Sequence, residues 1–167
     1  MRVLMRHSGM MLRFPKGLAG VGAVRDAQRL TGGDIHVTWL VTRKDGSRAV
    51  VKTTRGVAPD MFAVEAEGLD AIRASGAMAA PRVFAVSATH LVMEAFVPRQ
   101  PADREGPQFW ERAGRALAGM HQVRGERFGW HRDGWLGRLP QRNVWQDDGH
   151  AFYASQRLAR YLPEPGV

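Results

Sequence analysis

Cysteine is absent from all 167 residues. That absence excludes disulfides, thiolate metal ligands and a cysteine nucleophile, and it suits a reducing compartment such as the cytoplasm. Long apolar runs are missing as well: no stretch approaches the ~20 apolar residues of a membrane-spanning helix. The opening segment MRVLMRHSGMMLRFPKG has its apolar residues broken by Arg6 and Arg13, so no secretory signal is read there. A soluble, cytoplasmic protein is expected. Met5, Met10 and Met11 are alternative starts, which sets the first dozen residues apart from the expected fold. Internal repeats and low-complexity tracts are absent too.

Lysine is nearly missing. Only Lys16, Lys44 and Lys52 occur, and arginine supplies the rest of a formal charge of +8. A positive field of that size attracts polyanions. The arginines, however, recur along the whole chain, Arg2, Arg25, Arg43, Arg73, Arg112, Arg138 and Arg160 among them, and do not cluster with aromatics on one segment. That spread favours a solvated arginine-rich surface over a nucleic-acid footprint.

What remains is ordinary globular composition, 44% apolar and 24% charged, in a chain long enough to bury roughly 70% of its unfolded surface. After a weakly apolar segment over residues 17–31, a glycine pair leads into IHVTWLV, and a Lys-Asp-Gly turn leads into RAVVKT. Two β-branched apolar runs around a glycine-containing turn predict a β-hairpin. Pro59 and Asp60 then stand where a helix would start, with Asp60 of the capping type. In the segment that follows, Phe62, Ala66, Leu69 and Ile72 keep helical spacing up to a stop at Gly76. Glu65 falls on the apolar stripe, whereas Glu67 and Asp70 point to water.

PRVFAVSATHLVMEAF predicts a second hairpin, residues 82–86 and 90–96, and Pro98 and Pro101 mark a linker. Beyond it a helix is expected with Phe109, Trp110, Ala113, Leu117 and Met120 on one side. FGWHRDGWLGRLPQRNVWQDD is expected to be loop, and a last helix to lie near His150–Leu162. Strands, helix, strands, linker and helices predict an α+β fold. Its parts are an uncertain N-terminal extension (1–24), a small lobe of antiparallel sheet plus one helix (25–97), a linker or hinge (98–106) and the truncated start of a helical lobe (107–167).

Lys52 closes a strand, and Glu65 lies on the inward side of the next helix, where a carboxylate needs a cationic partner because an unpaired buried charge is too costly. The partner is either Lys52 or one of the many arginines. Kinase-type phosphoryl transfer uses a lysine to hold nucleotide phosphates and a glutamate to hold that lysine. In such a scheme Gly32 and Gly33 let backbone approach phosphate, and backbone around Glu94, Ala95 and Phe96 meets the adenine. Taken singly, each item has a plainer reading: a lysine snorkelling from a strand end, a glycine turn without the full G-x-G-x-x-G pattern, or a structural ion pair.

The blocks GGDIHVTWLV, AVVKT, MFAVEAEGL, PRVFAV, LVMEAF, ALAGMH, ERFGW, GRLPQRNVWQDD and RLARYL resemble, in order from about Gly32 to Leu162, the fructosamine kinase (ketosamine-3-kinase) family, relatives of the aminoglycoside phosphotransferases. GRLPQRNVWQDD is the most family-specific of them. The resemblance implies a protein-kinase-like fold and ATP-dependent phosphorylation of a ketosamine, on a small molecule or a glycated protein, which assists deglycation. It assigns Lys52 and Glu65 to phosphate anchoring, Gly32 and Gly33 to the loop over the nucleotide, and Glu94, Ala95 and Phe96 to the hinge strand. Trp145, Asp147 and Asp148 match the block near the substrate side, although Asp147 also reads as the cap of the last helix.

The family's His-Gly-Asp segment, with its catalytic base, and its metal-binding Asp-Pro-Ala segment have no counterpart in the sequence, so the Mg2+ ligands are not expected in this chain. His131-Arg132-Asp133 spells the start of a protein-kinase catalytic loop. Arg138, however, stands where that loop requires asparagine, and Asp147-Asp148-Gly149 is likewise read as loop. Two function classes therefore stand: the N-terminal part of a ketosamine kinase, or a catalytically inactive nucleotide-binding or interaction module. A basic nucleic-acid binder is a weaker third.

Overall fold

A computed structural model of the chain describes residues 13–32, 35–54, 56, 58–96 and 106–163. Gly33, the linker prolines Pro98 and Pro101 and the first dozen residues lie outside the described residues. The described part is α+β. A five-stranded antiparallel sheet is built from β1 (Val24–Leu30), β2 (Val37–Arg43), β3 (Arg48–Thr53), β4 (Val83–Val86) and β5 (His90–Glu94), in the order β1-β2-β3-β5-β4. Helix α1 (Met61–Ala74) connects β3 to β4.

Both predicted hairpins form. In the first, Gly46 takes a positive φ of 85° at the turn, and Asp45 Oδ1 accepts from Ser47 N at 2.9 Å, a local bond that fixes the reversal. The register sets Thr38 against Lys52 and Lys52 against Leu91. Because side chains alternate along a strand, β3 sends Ala49 and Val51 to one face and Val50 and Lys52 to the other. The first face is a core of Trp39, Val41, Ala49, Val51 and Val92. The second is covered by α1, whose Phe62 and Ala66 pack with Leu91 and Met93, and Leu69 lies alongside.

The segment before β1, set apart in the sequence as an uncertain extension, joins the first core through Phe14, Leu18 and Val21. Buried His90 pins it down, its Nε2 lying 3.0 Å from the Ala19 carbonyl. Strand β1 itself has no sequence counterpart in the expectation above. It is an edge strand with half-buried residues only at Val24, Ala27 and Leu30, so it lacks the period-two alternation that reveals a strand.

Helix α1 begins where predicted, but Asp60 does not cap it. Its backbone is already near-helical (φ −98°, ψ −3°) and its carboxylate accepts from Arg132 and Trp135, far along the chain. The stop is as predicted: Gly76 takes a φ of 67° and returns its N–H to the Arg73 carbonyl.

Helix α2 (Pro107–His121) buries no residue completely. Its inner side is Phe109, Ala113, Ala116 and Met120, while Trp110 and Leu117, expected on that stripe, face outward at 66% and 44% exposure. The stretch expected as loop contains a small hairpin, β6 (Gly134–Leu136) and β7 (Leu139–Gln141), turned at Gly137 with a φ of 63°. The last predicted helix is only partly α-helical. A short α3 (Gly149–Tyr153) passes into a π-helical turn, Ala154–Leu158, and a 3₁₀ turn, Ala159–Tyr161.

Candidate functional site

The sheet face under α1 brings the lysine and the glutamate together. Lys52 leaves β3 on that face, Glu65 stands one turn beyond the buried Phe62 on α1, and Lys52 Nζ lies 2.5 Å from Glu65 Oε1. Their side chains remain 29% and 28% exposed, so the pair is partly desolvated yet open to a ligand. Of the two partners the sequence left open for Glu65, the structure selects Lys52. The ammonium keeps further N–H donors for an anion.

His36 shares this neighbourhood. It lies two residues before Thr38, the cross-strand partner of Lys52, and its ring packs on Phe62 with centroids 4.6 Å apart. Its Nδ1 is buried without a hydrogen-bond partner. Burial pushes the imidazole below its ordinary value; Glu65 pulls it up, while Lys52 and Arg138 push it further down. Sequence reasoning missed His36, whose residue type inside IHVTWLV gives no signal until the fold sets it beside α1.

Gly32 has a φ of 105°, a conformation side chains rarely adopt, and among the described residues beyond its chain neighbours no atom lies within 4 Å of where a Cβ would project. The connection from β1 to β2 borders a cavity of about 320 Å³ lined by Arg29, Thr31, Gly32, His36 and Thr38. Open glycine backbone and the Arg29 guanidinium suit an anionic ligand there. At the end of β5 Glu94 is bonded twice to Arg82, its N–H to the Arg82 carbonyl at 2.8 Å and its carboxylate accepting from the Arg82 N–H at 3.2 Å. Ala95 and Phe96 follow outside the strand, Phe96 51% exposed.

Trp145, Asp147 and Asp148 sit in a second region. Asp148, not Asp147, caps α3: its Oδ1 accepts from His150 N at 2.8 Å and Ala151 N at 3.2 Å. Asp147 instead pairs with Arg127 Nε at 2.6 Å. The reason is one of phase, since only the residue immediately before the first helical turn can reach the free N–H groups of that turn. Trp145 borders a cavity of about 310 Å³ with Gly125, Glu126 and Arg127.

His131-Arg132-Asp133 is a structural junction. Asp133 Oδ1 accepts from the N–H of buried Asn143 at 2.9 Å, and Asn143 Nδ2 donates to the Arg132 carbonyl at 3.0 Å. Arg132 reaches Glu67 at 2.9 Å and Asp60 at 2.8 Å. Glu67 therefore does not point to water as expected. Burial alone would raise its carboxyl, but hydrogen bonding and charge from Arg132 outweigh that and hold it below its ordinary value. Among the described residues no group of three or more histidines, aspartates or glutamates gathers as metal ligands do, and no helix is long and apolar enough to cross a membrane.

Comparisons with known proteins agree with one another. A "Probable ketoamine kinase" of Escherichia coli (strain K12) is 31% identical over 148 residues, covering 86% of this chain and 50% of that one. A protein of the same description from Synechocystis is 30% identical over 145 residues, covering 83% of this chain and 47% of its own. A solved fructosamine-3-kinase candidate from Thermobifida fusca superposes with a TM-score of 0.74 at 30% identity, covering 85% of this chain and 49% of that structure. The chain thus spans about half the length of the relatives it matches. The family model described as fructosamine kinase matches residues 16–163, nearly the whole chain, and with these relatives it shows that the chain belongs to the fructosamine kinase family.

Proposed function

We propose that this chain forms the nucleotide-anchoring part of a ketosamine kinase, whose whole protein phosphorylates the sugar adduct that glycation leaves on an amine. The observation that carries the reading is the Lys52–Glu65 contact, with the positive-φ backbone at Gly32 in support. Lys52 neutralises phosphate charge, and Glu65 fixes the ammonium so that little side-chain freedom is lost when the anion arrives. ATP supplies the phosphoryl group when bound. Gly32, with Gly33, allows backbone N–H groups to approach its phosphates, and the backbone of Glu94, Ala95 and Phe96 borders the base. Trp145, Asp147 and Asp148 belong on the acceptor side, where Asp147 acts through Arg127 and Asp148 by ordering α3. Mg2+ serves the whole protein through ligands that the described residues do not gather.

The test is a melting curve with and without ATP. ATP raises the melting temperature of the wild-type chain, and Lys52→Ala abolishes the rise; an unmoved wild-type curve refutes the site. The chain by itself transfers no phosphate to a fructosamine substrate, because the sequence carries no His-Gly-Asp segment to supply a catalytic base. Detected turnover would overturn that statement.

A further inference from the structure

Helix α1 enters its first turn without local support. Asp60 makes no capping bond, and no acidic residue occupies the first turn. The tether comes instead from about 70 positions along the chain. Asp60 and Glu67 are seven residues apart, which places them on one face of the helix two turns apart, and Arg132 grips both: Nη2 to Asp60 Oδ2 at 2.8 Å and Nη1 to Glu67 Oε1 at 2.9 Å. Trp135 Nε1 adds a bond to Asp60 Oδ1 at 3.2 Å. Glu65 leaves the helix between these two anchor points on a different face, toward Lys52.

The arginine is itself held. Its carbonyl accepts from Asn143 Nδ2, and Asn143 is fixed in turn by Asp133 and by Arg157, whose Nη2 reaches Asn143 Oδ1 at 2.5 Å. Next to it, Gly134 brings backbone close enough that a Cβ would stand 3.6 Å from Val64 Cγ1. Single exposed ion pairs do little, but a planar fork engaging two carboxylates from a fixed base is the arrangement in which such contacts set geometry. The hydrogen bonds it donates to Glu67 and then Asp60 also hold the guanidinium more firmly protonated than usual.

We infer that Arg132 is a positioning residue: by fixing the rotation and height of the first two turns of α1, it holds Glu65 against Lys52. The inference rests on the nucleotide reading above for its consequence, but its structural content stands on the Lys52–Glu65 contact alone. Separation of sixty-seven positions between Glu65 and Arg132 means that no local pattern announces it.

A double-mutant cycle tests it on the full chain, with two readouts. The first is ATP affinity by calorimetry. Arg132→Met weakens binding roughly five- to tenfold in the wild-type background and less than about twofold in Glu65→Gln, because coupling is lost when the residue acted through is removed. Arg132→Lys, which keeps the charge and loses the fork, falls between. Equal losses in both backgrounds, or none, would overturn the inference. The second readout is the 13Cε resonance of Lys52 in lysine-labelled protein, easily assigned because the chain has only Lys16 and Lys44 besides. It shifts with Arg132→Met when Glu65 is present and stays fixed when Glu65 is glutamine; an unmoved resonance in the wild-type background counts against Arg132 outright. Should wild type bind no ATP, the nucleotide reading falls, and the Lys52 resonance still decides whether Arg132 positions Glu65. If Arg132→Met does not fold, Glu67→Gln, which removes only one arm, takes its place in the same cycle.

Discussion

Removing the Lys52–Glu65 pair in two ways separates a structural ion pair from one kept for a ligand. Each side chain is a little under one-third exposed, between the fully exposed pairs that contribute about 0–1 kcal/mol and the buried ones whose breakage costs about 3–5 kcal/mol. Lys52→Met alone leaves the Glu65 carboxylate half-buried beside Phe62, and Glu65→Leu alone strands the ammonium, so each single change destabilises by about 2 kcal/mol. In a chain of this size that lowers the melting temperature by about 4–8 °C.

The double variant Lys52→Met/Glu65→Leu strands no charge and adds apolar surface beside Val50 and Leu69, which already pack on this core. Its stability returns to within about 1 kcal/mol of wild type. ATP affinity behaves differently. All three variants lose a charge-assisted phosphate contact or its orientation, so binding drops about 10- to 100-fold, corresponding to about 1.5–3 kcal/mol, and the double variant recovers none of it. Urea denaturation and calorimetry on the same four proteins read both quantities. If the stable double variant binds ATP as wild type does, the pair is structural and the nucleotide assignment is wrong.

Two further outcomes follow from the same geometry. Burial, with Lys52 and Arg138 acting in the same direction and Glu65 against them, holds His36 below its ordinary value of 6.5, so below that pH the unfolded chain binds more protons than the folded one and stability falls as pH drops through the folded value; His36→Asn flattens this part of a stability–pH curve, and an unchanged slope refutes the account. Phe128, Trp130, Leu136, Trp145 and Leu158 are each at least 40% exposed, as is Trp110 on α2. Large apolar side chains left open to water favour association, so sedimentation velocity shows concentration-dependent self-association, and a monodisperse monomer across the range removes the expectation.

The sheet from β2 onward and α1 were legible because their signals are local, whereas β1 and the segment before it were not. β2 and β3 announce themselves by β-branched runs around Asp45-Gly46, α1 by Phe62, Ala66 and Leu69, and Glu65 by being a carboxylate on an apolar stripe. Wherever the deciding contact was distant, local reading failed. Glu67 reads as solvent-facing because nothing within a few residues explains it, and Arg132 with its neighbour His131, brought across ahead of β6, turns it inward. Asp60 reads as a cap for the same reason, since its type suits a role that a remote arginine and tryptophan have displaced. Asp147 and Asp148 differ by one position, and only the observed start of α3 decides between them. The stripe expected on α2 failed in another way: helical spacing reveals a potential apolar face but not which sector meets a partner, and here Gly119 is the position that closes on Ala77, 3.1 Å from where a Cβ would sit, while Trp110 is left 66% exposed. Lys52 and Glu65 were thus singled out in sequence, with the partner of Glu65 left open between Lys52 and an arginine, while the contacts around them were not legible, because a carboxylate on an apolar stripe is marked by its residue type and its supports only by where the chain happens to return.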